Sequence, residues 1–291
     1  MEQWPNFFIV GTAKAGTTSL YEYLKGVPGI YMSPVKEPNY FSINTTPSNL
    51  GIIPYKDKTK YQDLFRKVKN EKIIGEASPT YLADPDSPKL IHKVSPNAKI
   101  LISLRDPVER IFSFYLMLVR LGATKLSFHE ELELSLKTET EGDEPKLLLA
   151  RGLYFENVKR YIDTFGSNQV KIIIFEEFKK NPRATVEEIL KFLGINFKFE
   201  AFDSTVYNPF TIVRGSTAQF FMKNKKIRKI LEKFIPKSGR RALRETLLQK
   251  KQPKPKMEGK DIETLRNFYK NDVKKIKDLL GNNIKWKNFT N

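Results

Sequence analysis

The sequence predicts an α/β protein: a central parallel β-sheet flanked by helices, with a helical extension at its C-terminal end. Three observations predict it. Short apolar runs rich in β-branched and aromatic residues recur along the chain, amphipathic helical stretches separate them, and the strand signal stops beyond Val213. At 291 residues the chain can bury a substantial core. No internal repeat or low-complexity linker divides it, so residues 1–291 read as one domain carrying a basic helical or lid segment at 214–258.

Taken in order, residues 7–10 (Phe-Phe-Ile-Val) form the first buried strand, and residues 17–25 the helix after it. A helix over 59–68 precedes a strand at 73–74. The strand at 99–104 runs into a helix over 107–121, whose Pro107 is suited to a first helical turn. Helices follow over 128–136 and 153–165, then a strand over 170–175 and a helix over 182–193. Within 216–234, Phe220, Ile227, Leu231 and Phe234 recur at helical spacing. Pro253 and Pro255 then punctuate the chain before a last helix, about 261–280.

Composition narrows the function classes. The formal charge is +18, and between Lys223 and Lys256 there are 14 Lys and Arg against two acids, Glu232 and Glu245. Such a segment is either a solvated basic helix or a surface for an anionic substrate or an acidic membrane. Without interleaved stacking aromatics it does not read as a nucleic-acid binder. No apolar run is long enough to cross a bilayer, and the N-terminus has no leader pattern. The absence of cysteine rules out disulfides and thiolate sites. These features predict a cytoplasmic enzyme, at most peripheral to a membrane.

In parallel sheets of this kind ligands bind beyond the carboxyl ends of the strands. After the first strand comes Gly11-Thr12-Ala13-Lys14-Ala15-Gly16-Thr17-Thr18. Its two glycines have the spacing of a Walker A loop, which makes the sheet P-loop-like. The expected lysine after the second glycine is missing, however, and Lys14 lies inside the loop. Glycine-rich backbone, a helix N-terminus, Lys14 and the two threonines together suit an anion; the alternative is a glycine turn with an exposed lysine. After the 99–104 strand comes Arg105-Asp106-Pro107, with Ser113 two turns into the next helix. Arg105 suits a phosphate, or else forms a salt bridge that caps the helix.

Together these residues resemble the sulfotransferases that use 3′-phosphoadenosine 5′-phosphosulfate (PAPS), in the bacterial and glycan-type branch. Lys14-Ala15-Gly16-Thr17-Thr18 is similar to the family's K-x-G-T-[ST] loop, which with Ser19 implies a 5′-phosphosulfate site. Arg105 and Ser113 match the pair that binds the 3′-phosphate. Val35-Lys36-Glu37-Pro38-Asn39-Tyr40-Phe41 resembles the K-E-x-x-[HY]-F segment, which makes Glu37 the implied base, with a Lys36 salt bridge as its alternative. Gly75-Glu76-Ala77-Ser78-Pro79-Thr80-Tyr81 resembles the E-x-[ST]-P-x-Y segment. Phe175 falls where an aromatic packs on adenine, and Arg214-Gly215 where a basic-Gly pair covers the 3′-phosphate. Trp286 resembles the closing tryptophan. Cytosolic aryl and steroid members use a His base, but His92 and His129 here fall in helical stretches and read as structural or surface residues.

The resemblance implies transfer of a sulfuryl group from PAPS to a hydroxyl or amine of an acceptor such as a saccharide or glycolipid. The product nucleotide is adenosine 3′,5′-bisphosphate, and no metal is needed. Two alternatives stand beside it. One is a magnesium-dependent P-loop nucleotide kinase, with Glu76 or Asp106 as the metal ligand. The other is a non-catalytic nucleotide-binding or membrane-peripheral module.

Overall fold

The computed structural model describes residues 2–42, 54–137, 148–203, 256–281 and 284–290. Five strands lie among them: β1 (Phe7–Gly11), β2 (Ile30–Met32), β3 (Ile73–Ala77), β4 (Lys99–Leu104) and β5 (Val170–Ile174). All pair in parallel, in the order β2-β3-β1-β4-β5. The first strand is therefore central. The chain leaves it towards β2 and β3 on one side and later towards β4 and β5 on the other, so the strand order reverses beside the carboxyl end of β1.

Strand periodicity divides the apolar residues between two cores. Phe8 and Val10 of β1, Ile74 of β3, and Ile100, Ile102 and Leu104 of β4 face one side of the sheet. Phe7 and Ile9, Ile73 and Ala77, and Leu101 face the other. Helices α1 (Thr17–Lys25) and α8 (Pro182–Phe192) cover the second face, where Leu20, Leu24, Val186, Ile189 and Leu190 are buried. The first face takes the helices α3 (Ser87–Val94), α4 (Pro107–Leu121), α5 (Phe128–Lys137), α6 (Phe155–Phe165) and the C-terminal α9 (Gly259–Leu280).

Helices α1 and α4 have the predicted bounds. The limits of α4 follow from its ends: the Asp106 carboxylate accepts from the Val108 and Glu109 amides, Pro107 opens the first turn, and Gly122 closes the helix at φ 62°. In α9, Leu265, Tyr269, Val273 and Ile276 form one buried stripe. Its Asp272 accepts from the amides of Tyr154 and Phe155 at 2.7 and 3.1 Å, so it satisfies the start of α6 from a distant part of the chain. The three-residue β2 was not predicted, and α3 was read only as the helical stretch that holds His92. The predicted 59–68 helix is a short α2 (Lys58–Gln62) followed by a single 3-10 turn. β5 ends at Ile174, and Phe175 instead opens a short helix, α7 (Phe175–Lys180). The basic segment, Arg214 and Gly215 included, lies outside the described residues up to Lys256.

Candidate active site

The loop from Gly11 to Gly16 leaves the carboxyl end of β1 and is fastened to the end of β4. Ser103 Oγ donates to the Ala15 carbonyl at 2.6 Å, Thr12 N donates to the Ser103 carbonyl at 2.7 Å, and Arg105 Nη1 donates to the Lys14 carbonyl at 2.9 Å. The two glycines are required for different reasons. A Cβ on Gly11 would lie 2.5 Å from the Leu82 Cβ. Gly16 has φ +79°, and a Cβ there would press on the rings of Phe178 and Phe175 at 2.9 and 3.0 Å. Helix α1 then starts at Thr17. Among the described residues its N-terminus has no side-chain cap and no acid in its first turn, so the amides of Thr17, Thr18 and Ser19 and the helix dipole remain available to an anion.

Lys14 stands half-buried in this loop with its backbone in the left-handed region, at φ 74°. Burial pushes its ammonium pKa down to about 8; the positive charges of Arg120, Arg105 and Lys36 add to that, and Glu37 opposes it. Such a cation is stabilised by any anion that replaces its lost hydration. Arg105 is a second one: burial lowers its pKa against the opposing pull of Glu109 and Glu176. Its guanidinium lies over the Phe175 ring at 4.8 Å and 3.7 Å from the Glu109 carboxylate, and its Nε is buried without a hydrogen-bond partner among the described residues. One face of the ring expected to pack on adenine is therefore taken by Arg105.

Glu37 comes to the site from the opposite side, on a segment held to the end of β3. Its amide donates to the Ala77 carbonyl at 2.9 Å, the Asn39 amide to Ser78 Oγ at 3.1 Å, and the Phe41 amide to Tyr81 Oη at 3.3 Å. Glu37 has φ 62° and Asn39 φ 53°. With Lys14 they are the non-glycine residues of left-handed backbone among the described ones, and all border one site, where such strain tends to concentrate. The Glu37 carboxylate is more than one-third exposed and pairs with Lys36 Nζ.

The acids that a magnesium-dependent reaction needs are engaged elsewhere. Glu76 is fully buried and accepts from Tyr61 Oη, Ser78 Oγ and Tyr81 Oη at 2.7, 2.7 and 2.8 Å. Burial pushes its pKa up to about 7 against these three bonds. Its work is to hold the segment that carries Glu37. Asp106 caps α4 with one oxygen and with the other accepts from Asn288 N and Nδ2, both at 3.0 Å.

Ser113 lies on α4 one turn beyond Glu109, in a half-exposed stripe that continues through Met117 to Arg120. The structure thus brings together the 14–19 loop, Glu37, Arg105 and Phe175, and puts Ser113 on the helix face that starts at Glu109. The two histidines take part in other contacts. His129 Nδ1 bonds Asp261 at 2.7 Å, and His92 packs edge-on against Phe165. Sequence reasoning missed Ser103, Glu109 and Arg120. Helical spacing from Arg105 would have found the last two, because they share a face with Ser113.

Comparison with known proteins shows the family. The family described as "Sulfotransferase domain" matches residues 5–279. The chain is 34% identical to the crystal structure of a sulfotransferase from Alicyclobacillus acidocaldarius, with a TM-score of 0.71, covering 95% of this chain and 96% of that one. It is 27% identical to human carbohydrate sulfotransferase 15 over 249 residues, 66% of this chain and 44% of that protein. It is also 27% identical to the membrane-associated sulfotransferase kil1 of Dictyostelium discoideum over 271 residues, 66% of this chain and 56% of that protein. The chain spans about half the length of these curated relatives. Their similarity corrects the expectation of a cytoplasmic enzyme: one relative is membrane-associated by name, and the leader and cysteine pattern read here describes only the portion of them that the chain matches. Among the described residues no helix is long and apolar enough to cross a membrane.

Proposed function

The chain belongs to the sulfotransferase domain family, and from that premise we propose that it moves a sulfuryl group from PAPS to a hydroxyl or amine of a saccharide, releasing adenosine 3′,5′-bisphosphate. The observation that carries the reading is the bond from Arg105 Nη1 to the Lys14 carbonyl. It joins two anion-binding motifs that are distant in sequence, as a nucleotide with two separate phosphate groups requires. The residues fit that donor: two desolvated cations and, among the described residues, an uncapped helix start and a buried Arg105 Nε without a partner.

PAPS, when bound, supplies the sulfuryl group, whose bond to the bridging phosphate oxygen breaks as its bond to the acceptor forms. In this reading Lys14 and the amides of residues 15–19 hold the 5′ end, and Lys14 offsets the negative charge that grows on the leaving oxygen. Arg105, aligned by Phe175, and Ser113 hold the 3′-phosphate. Glu37, open to solvent at the mouth of the site, takes the acceptor's proton. Its carboxylate pairs there with Lys36 Nζ. The resemblance assigns Arg214 and Gly215 to the same phosphate; both lie outside the described residues. The relative named a carbohydrate sulfotransferase supports a saccharide as acceptor.

Radiolabelled donor offered with a panel of mono- and oligosaccharides tests the proposal. Label should pass to a saccharide with the wild-type chain. Glu37→Gln should lose transfer while binding adenosine 3′,5′-bisphosphate as before. Normal turnover in Glu37→Gln removes it as the base, and no label in any saccharide removes the acceptor class.

A further inference from the structure

The C-terminal tail reaches the charge network of Arg105. Trp286 is fully buried, its ring centroid 5.8 Å from that of Tyr154, whose hydroxyl donates to the Arg105 carbonyl at 2.8 Å. Asn288 is fixed to Asp106, the residue after Arg105, by its amide and its side chain, both at 3.0 Å. Between these two anchors, Lys287 Nζ meets Glu109 Oε1 at 2.8 Å. The other oxygen of the same carboxylate stands 3.7 Å from Arg105 Nη2, beyond hydrogen-bond length. Glu109 is therefore shared, with its shorter contact to the tail.

We propose that Lys287 is a positioning residue for the donor site: it draws Glu109 towards the tail and leaves the Arg105 guanidinium free for the nucleotide's 3′-phosphate. Without Lys287, Glu109 closes on Arg105, its charge is no longer offset, and it competes with the phosphate for the same guanidinium. Lys287 has no part in reaching the nucleotide; it acts through Glu109. The proposal rests on the reading that Arg105 holds the 3′-phosphate, and its test separates the two.

Calorimetric titration of adenosine 3′,5′-bisphosphate and of adenosine 5′-monophosphate, which lacks the 3′-phosphate, provides that test. Lys287 is 70% exposed, so its replacement spares the fold. Lys287→Ala should weaken the bisphosphate about threefold, the scale of one partly exposed ion pair, and leave the monophosphate unchanged. Lys287→Arg should restore the wild-type value. In a Glu109→Gln background Lys287→Ala should have no effect. Equal weakening of both nucleotides, an undiminished effect in the Glu109→Gln background, or no effect at all overturns the proposal. Arg105→Ala is the control. If it weakens both nucleotides equally, the 3′-phosphate reading falls and the inference with it; if it is selective while Lys287→Ala is silent, only the inference falls.

Discussion

Nucleotide affinity should fall steeply as pH rises above about 8, because Lys14 loses its proton there in the free protein. Burial, reinforced by Arg120, Arg105 and Lys36, brings its pKa down from 10.5 to about 8. A bound phosphate supplies the counter-charge that the desolvated ammonium lacks, so the complex holds the proton to higher pH. Between about pH 8 and about 10.5 the free protein has a neutral Lys14 and the complex a charged one. Each pH unit in that window weakens binding about tenfold, and the whole window up to about 300-fold. The phosphates do not contribute, since their second ionisation, near pH 6, is complete. Calorimetry in buffers of different ionisation enthalpy reads the linkage directly. At about pH 8.5, binding of adenosine 3′,5′-bisphosphate should take up about 0.7 proton, and Lys14→Met should abolish the uptake. No uptake, or the same uptake in Lys14→Met, refutes the placement of a desolvated Lys14 against the phosphate.

Two further predictions concern the scaffold. Gly16→Ala forces a side chain into left-handed backbone and against Phe175 and Phe178; thermal melts should show a loss of about 1–3 kcal/mol, and bisphosphate binding should weaken with it. Glu76 has a folded pKa raised from 4.5 to about 7, so the stability it contributes is complete below pH 4.5 and is lost as pH rises through about 7. Urea midpoints of Glu76→Gln should accordingly fall less between those values than wild type, the difference amounting to at most about 1.4 kcal/mol per pH unit; identical slopes would show that Glu76 does not titrate in the folded protein.

Much of this was legible wherever a local rule decides the structure. The Asp106-Pro107 start and Gly122 end of α4, the uninterrupted apolar run of β1, and the glycine spacing of the loop each carry their own physical signal. Arg105 and Lys14 were legible as anion binders, because a parallel sheet sends the residues at its strand ends to one edge. What was hidden depends on tertiary contacts. β2 has three residues and gains its place only by pairing with β3. Phe175 belongs to a strand-like apolar run, yet packs beneath Arg105 as the first residue of a helix. Glu76 was a metal-ligand candidate only in the kinase alternative, and the hydroxyls of Tyr61, Ser78 and Tyr81 reveal it as a buried brace for the Glu37 segment. The meeting of Asn288 with Asp106 joins residues 182 positions apart in sequence, and no periodicity announces it.

The central claim is that this loop holds a phosphosulfate nucleotide and not a triphosphate. Titrating the protein with adenosine 3′,5′-bisphosphate and with ATP, each with and without magnesium, tests it most directly. The bisphosphate should bind more tightly than ATP and be indifferent to magnesium. Tighter binding of ATP that depends on magnesium would contradict the account.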